Sequence, residues 1–254
     1  MTNNSRRYPP SDVKILWGLA AGRCSFPGCK QPCICEASDI DPSAPIGKIS
    51  HIEAHSNNGP RVNLNLTRDE RDCYNNWILL CGKHHDTVDA QPNTYTSDNL
   101  REWKKEHEKW VNDRLLIAIP SIGFLELEMV ASAMMSVPGK PTIDLMLVPP
   151  REKMNRNGLS DKILNRMFLG LVKSKEVGEF LESMAIIKPD FPEKLKGGFV
   201  SAYMKMKNED GLRGDALFLA LHDFASAQSI DFDKQAAGLA VLVHLFEKCE
   251  VFEK

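Results

Sequence analysis

The sequence predicts an α+β protein, a small zinc-tied domain with short strands followed by a mainly α-helical domain, and three observations predict it. Six of the seven cysteines and five of the seven histidines lie in residues 1–117. Short apolar runs bounded by turn residues, the mark of strands, fall in the same region. From Ser160 onward, apolar residues recur at helical spacing instead. A length of 254 residues suits two ordinary domains, and 43% hydrophobic with 26% charged residues excludes a disordered chain or a fibrous rod. A net charge of −2 argues against a protein that coats nucleic acid. No apolar run reaches the roughly 18 residues of a membrane span, and the start, MTNNSRRYPP, lacks the apolar centre of a secretory signal. A cytoplasmic protein with no membrane segment is expected.

The elements follow in order. Pro9, Pro10, Ser11 and Asp12 open a helix with Ser11 as N-cap and Val13, Leu16, Trp17 and Ala20 on one face, ending near Gly22. Residues 23–45 are rich in Pro, Gly and Cys without any period, so they stay compact only if something ties them down. Residues 49–52 predict a short strand, residues 55–60 a turn, and residues 77–80 a second strand that stops at Cys81 and Gly82. Thr96 or Ser97 caps a helix from about Asp98 to Ile117, with Leu100, Trp103, His107, Trp110 and Val111 at helical spacing. These elements form a domain over residues 1–117. Residues 118–158 hold Pro120, Pro138, Pro141, Pro149 and Pro150 with two apolar stretches, 124–135 and 143–148, and read as a connector with its own short strands or helix. Residues 159–254 predict four or five helices. Their apolar faces run through Ile163, Leu164, Met167 and Phe168; Val177, Phe180, Leu181 and Met184; Leu217, Leu221 and Phe224; and Leu239, Leu242, Val243 and Phe246.

The clustered Cys and His carry chemistry. In a reducing compartment they read as metal ligands before they read as disulfides. Cys24 and Cys29 face each other across a Pro-Gly turn, and Cys81 and His84 form a second close pair. Two such pairs suit a tetrahedral Zn²⁺ ion with no open position, which makes the site structural. Cys33 and Cys35 lie close enough to replace Cys29, whereas Cys73 and Cys249 read as plain core or surface residues.

Through this knuckle runs the segment Ser50-His51-Ile52-Glu53-Ala54-His55-Ser56-Asn57-Asn58-Gly59-Pro60-Arg61, followed later by Asn76-Trp77-Ile78-Leu79-Leu80-Cys81-Gly82-Lys83-His84-His85. It resembles the HNH endonucleases of the ββα-metal class, in the form found in several bacterial antiphage effectors, over roughly residues 12–112. The resemblance implies metal-dependent hydrolysis of phosphodiester bonds in DNA. It implies His51 as general base, and His85 as a ligand of a catalytic Mg²⁺ or Mn²⁺. Asn76 would either position the loop and His51 or ligate the same ion. Many members of the family have an acidic residue where this chain has Ser50, and Glu53 sits three positions on, toward the opposite face of a strand. His55 reads as a contact to the metal or a phosphate or, more simply, as a polar turn residue. Arg61, Arg71 and Lys83 read as solvated surface charges or as contacts to a nucleic-acid backbone. Asp86 and Asp89 are expected to cap or orient a loop after His85.

The second half has no paired carboxylates and no phosphate-binding glycine loop, and its lone His222 and His244 read as packing residues. Residues 149–160, Gly214-Asp215-Ala216-Leu217-Phe218 and residues 245–254 are similar to the C-terminal domain of effector subunits in bacterial ABC three-component defence systems. That likeness implies docking onto partner subunits, an ABC ATPase among them, or self-association. The alternative reading is a zinc-stabilised nucleic-acid-binding or assembly subunit whose HNH site has degenerated, and Ser50 keeps it open.

Overall fold

The computed structural model describes residues 6–36, 38–136 and 157–248. The apolar stretch 143–148, most of the motif at 149–160, Cys249 and the last residues lie outside them. Among the described residues the chain is α+β and mostly helical, with two small two-stranded sheets. It divides into two compact units, Met1–Val111 and Asn112–Lys254. The division falls inside a long helix, ahead of the boundary expected at 117.

The first unit opens with α1 (Pro10–Leu19). Its N-cap is Pro9, not Ser11, because Pro10 fills the first helical position, where a missing N–H costs nothing. The helix buries Leu16 and Leu19 and ends where Ala21 and Gly22 turn left-handed, at φ 51° and 61°. The strands β1 (Ile34–Cys35) and β2 (Ala44–Pro45) pair antiparallel in the cysteine-rich segment. The strands β3 (Lys48–His51) and β4 (Trp77–Leu80) pair antiparallel with His51 opposite Trp77. All four residues of β4 are buried, which is why it reads as a continuous apolar run. Between the strands lies α2 (Arg68–Arg71), opened by a reciprocal cap of Thr67 and Glu70 that the apolar pattern does not reveal. The helix α3 (Gly82–Ala90) follows β4 directly and packs on both β3 and β4, a ββα arrangement. The helix α4 (Ser97–Ala118) is capped by Thr96, whose hydroxyl accepts the Asn99 N–H, and it buries Leu100, His107 and Val111.

The second unit is helical throughout its described residues: α5 (Phe124–Met135), α6 (Asp161–Leu171), α7 (Ser174–Ile187), α8 (Phe191–Met204), α9 (Gly214–Ala225) and α10 (Phe232–Lys248). Every residue of α10 from 235 to 246 is buried, with α5, α6, α7 and α9 packed around it. The face of Leu239, Leu242, Val243 and Phe246 is therefore interior. Close approach depends on small residues, since a Cβ on Gly170 would meet Val243 Cγ2 at 2.6 Å. The connector's first apolar stretch is helix α5. No single described helix is long and apolar enough to cross a membrane.

Candidate metal centre and cleft

Four side chains of the first unit converge as the spacing predicts. The ligand atoms of Cys24, Cys29, Cys81 and His84 all lie within 4.8 Å of one another. Cys24 Sγ is 3.6 Å and Cys81 Sγ 3.2 Å from His84 Nδ1. Local structure explains the convergence. Gly28, at φ 72°, lets the chain turn back so that Cys29 N–H reaches Phe26 O, and Cys81 is the N-cap of α3, which puts His84 in its first turn. Phe26 stacks on the His84 imidazole at 3.9 Å between ring centroids and fixes its plane. Three thiols and one imidazole are a donor set for a soft tetrahedral cation, and the cluster can hold a metal such as zinc. Burial pushes the Cys24 thiol above its ordinary value. Cys33 and Cys35 are not part of the cluster. Cys33 is buried against Gly47, with its thiol pushed up to about 12 by burial, and Cys35 is exposed.

The second constellation lies at the far end of β3. The residues Ser50 and His51 point to opposite faces of the strand. Ser50 is fully buried and its hydroxyl has no hydrogen-bond partner among the described residues. His51 Nε2–H donates to Asp72 Oδ1 at 3.1 Å, and His55 Nδ1–H donates to the same oxygen at 2.8 Å. Arg7 N–H holds the other carboxylate oxygen at 2.9 Å. Burial outweighs the attraction of Asp72 and holds the His51 imidazole below its usual pKa. For Asp72, burial pulls upward, but the bonds from Arg7, His55 and His51 prevail and keep it ionised.

His85, on α3, donates from Nδ1 to Asp86 at 3.0 Å and places Nε2 3.9 Å from Asp89. Arg6, His51, His55, His85 and Asp89 line one cleft of about 50 Å³. A larger groove of about 340 Å³ is lined by Arg6, Tyr8, Lys48, Ile49 and His85. Two residues, Arg6 and His85, belong to both.

Several expected roles change. Asn76 is not in the cleft cluster. Its Oδ1 accepts the Glu53 N–H at 2.9 Å, and its Nδ2 donates to Glu53 O and Arg71 O at 2.8 and 3.0 Å. That amide holds the loop after His51, which is the positioning role of the two expected for Asn76. Arg61 and Arg71 are neither solvated surface charges nor free to meet a phosphate backbone. Arg61 donates to Ile52 O, Val88 O, His51 O and Asp89, and Arg71 to Leu66 O, His55 O, Asn57 and Asn63 O. A guanidinium has five donors in a rigid fork, which suits a loop full of unpaired carbonyls. His55 is part of the cluster and not a plain turn residue. Glu53 pairs with Arg101 at 2.7 Å, away from Asp72. Asp86 and Asp89 lie within α3 itself, not in a loop after His85.

Four residues of the site escape sequence reasoning: Asp72, Arg6, Tyr8 and Lys48. The basic-aromatic run Arg6-Arg7-Tyr8 was a usable signal for two of them. Asp72 was one carboxylate among three in a polar stretch, and only the folded loop singles it out. Among known proteins, the chain matches no family model and no curated protein.

Proposed function

We propose that this protein is a metal-dependent HNH-type endonuclease that hydrolyses phosphodiester bonds in DNA as the effector of an antiphage defence system. The observation that carries the reading is one cleft in which His51, from a strand, and His85, from the helix that follows its partner strand, open beside a groove bearing Arg6, Lys48 and Tyr8. Each part has a task. Arg6 and Lys48 attract the phosphates, and Tyr8 offers a ring for a base to stack on. His51 is the general base. Its lowered pKa keeps it neutral near pH 7, and with Nε2–H donated to Asp72, Nδ1 carries the lone pair that takes a proton from water. Asn76 and Arg61 hold the loop and strand end that present it. His85, with Asp89 nearby, would hold the catalytic Mg²⁺ or Mn²⁺. Such an ion, when bound, offsets the charge that develops on the phosphorus oxygens. Zn²⁺ is the proposed occupant of the cysteine cluster, as structural metal, because four protein ligands leave no place for a water. The helical unit, whose buried histidines are engaged in packing, is assigned to docking partner subunits.

The test is Mg²⁺-dependent cleavage of plasmid DNA by the full chain and by His51→Ala. The variant should lose roughly 10²–10⁴-fold in turnover, the usual contribution of a general base, with its melting temperature little changed. Wild-type cleavage by a folded His51→Ala would remove the reading at its central residue. A second reading, a nucleic-acid-binding subunit with a degenerate site, is favoured by Ser50, whose buried position supplies no carboxylate to the cleft. It predicts plasmid binding without cleavage in any divalent ion.

A further inference from the structure

We propose that His51, His55 and Asp72 form a second metal site, separate from the cysteine cluster, that takes one transition-metal ion of the Zn²⁺ class. One ligand atom from each residue lies within 4.8 Å of the other two, the only such group among the described residues besides the cysteine cluster. Two imidazoles and a carboxylate suit Zn²⁺, Co²⁺ or Ni²⁺, and do not suit Mg²⁺, which prefers oxygen ligands and retains its waters. The two contacts to Asp72 need little movement. Ligands about 2.0–2.1 Å from a tetrahedral ion sit about 3.3–3.4 Å apart. The observed separations of 3.1 and 2.8 Å from Asp72 Oδ1 need to open by only a few tenths of an ångström.

The surroundings are built to hold these donors. Arg7 N–H anchors the Asp72 oxygen that the imidazoles do not use. The buried guanidinium of Arg61 grips the His51 carbonyl, and Arg71 grips that of His55, so both donor backbones are fixed. The three side chains are only 8%, 8% and 2% exposed, yet His51 and His55 line the cleft, which gives an ion access.

Occupancy would have a consequence that rests on the nuclease reading. A neutral imidazole has one proton and one lone pair. When His51 Nε2 donates to Asp72, the lone pair is on Nδ1. When Nε2 coordinates an ion, the proton moves through solvent to Nδ1, and nothing remains to accept a proton from water. Excess Zn²⁺ should therefore inhibit cleavage supported by Mg²⁺.

Equilibrium dialysis of the full chain against Zn²⁺ in a large excess of Mg²⁺, which would fill the site assigned to His85, followed by metal analysis, tests the site without using activity. Wild type should bind about two equivalents and His55→Ala about one, the weaker site losing more than the 10–100-fold that removal of an outer hydrogen-bond partner costs. His55→Gln serves if His55→Ala does not fold, with thermal melting as the check on both. Titration with Co²⁺ is the independent measurement: the first equivalent should show intense thiolate charge-transfer bands and the second only weak ligand-field absorption. A single equivalent in folded wild type, a second equivalent retained by a folded His55 variant, or thiolate bands from the second Co²⁺ would each overturn the proposal. Two equivalents with no cleavage in any divalent ion would leave the site standing and sink the nuclease reading. One equivalent with normal cleavage would do the reverse.

Discussion

The two units keep their shape by different means. In the second, α10 is buried along twelve successive residues, and Phe180, Phe191, Phe199, Phe218 and Phe246 are almost fully enclosed. Each such side chain contributes roughly 1.5–3 kcal/mol, so stability is spread over many contacts. The first unit has strands of two and four residues, and its described residues between α1 and β3 hold little other regular structure. Its order is concentrated in a few polar fixtures: the cysteine cluster, the two buried arginines and Asn76. A distributed core tolerates the loss of one member, whereas a fixture does not.

Cys81→Ser should release the metal and unfold the first unit while the second stays helical. Structural zinc contributes roughly 10–16 kcal/mol of apparent binding free energy, as large as the roughly 5–15 kcal/mol that holds a domain folded. Metal analysis and hydrogen exchange measured together check this, and protection retained across β3, β4 and α3 in a metal-free variant would contradict it. The corresponding loss in activity, for His51→Ala, is smaller in free energy and should leave stability almost untouched.

Arg61→Ala comes next. This side chain is 3% exposed and joins four partners, among them the Asp89 carboxylate at 2.6 Å. Its removal takes a donor from three carbonyls and from the Asp89 carboxylate, which is 34% exposed, at a cost of about 1–3 kcal/mol for each buried acceptor left unpaired. Chemical denaturation should show that loss in the first unit only. A change below about 1 kcal/mol, the usual range for a surface charge, would mean that Arg61 is solvated after all.

How far the sequence discloses all this depends on the kind of signal. β3, β4, α4 and the four residues of the cluster were legible because each rests on a local rule, an apolar run, a cap or a close pair of Cys and His, whereas β1, β2 and α3 lie where no apolar period marks them. Helix α8 was not, because Pro192 and the adjacent Gly197 and Gly198 interrupt the helical pattern, yet both glycines are buried within the helix. The α1 cap was misplaced because Ser11 is the better capping residue, although Pro10 already occupies the first turn. The roles of Asp72, Arg61 and Arg71 depend on which carbonyls and imidazoles the loop brings together, and no sequence pattern specifies that. His51 and His85 were singled out by resemblance alone; that they line one cleft required the fold.

The smallest effect concerns acid, and it distinguishes the units through one histidine in each. His222 is enclosed in the second unit, donating from Nε2 to Gln235 O at 2.8 Å, and burial, aided by the nearby charge of Arg166, pushes its pKa down to about 4. His107 is its counterpart in the first unit, also lowered to about 4 by burial, with Nε2–H on Ala20 O and Lys30 donating to Nδ1. An unfolded histidine titrates near 6.5. Between these values the unfolded chain binds a proton that the folded chain refuses, so the stabilising contribution is complete above about pH 6.5 and is lost as the pH falls toward about 4. At about 1.4 kcal/mol per pH unit, each histidine accounts for about 3 kcal/mol at most. His222→Gln keeps a donor for the Gln235 carbonyl and removes the titration. Its helical unit should therefore lose less stability than wild type between pH 6.5 and 4, while the first unit, with His107 intact, should lose as much as before. Protection from hydrogen exchange, followed separately in α10 and in β4 across that range, measures both. If α10 in the variant weakens as steeply as in wild type, His222 is not the group that makes the helical unit sensitive to acid.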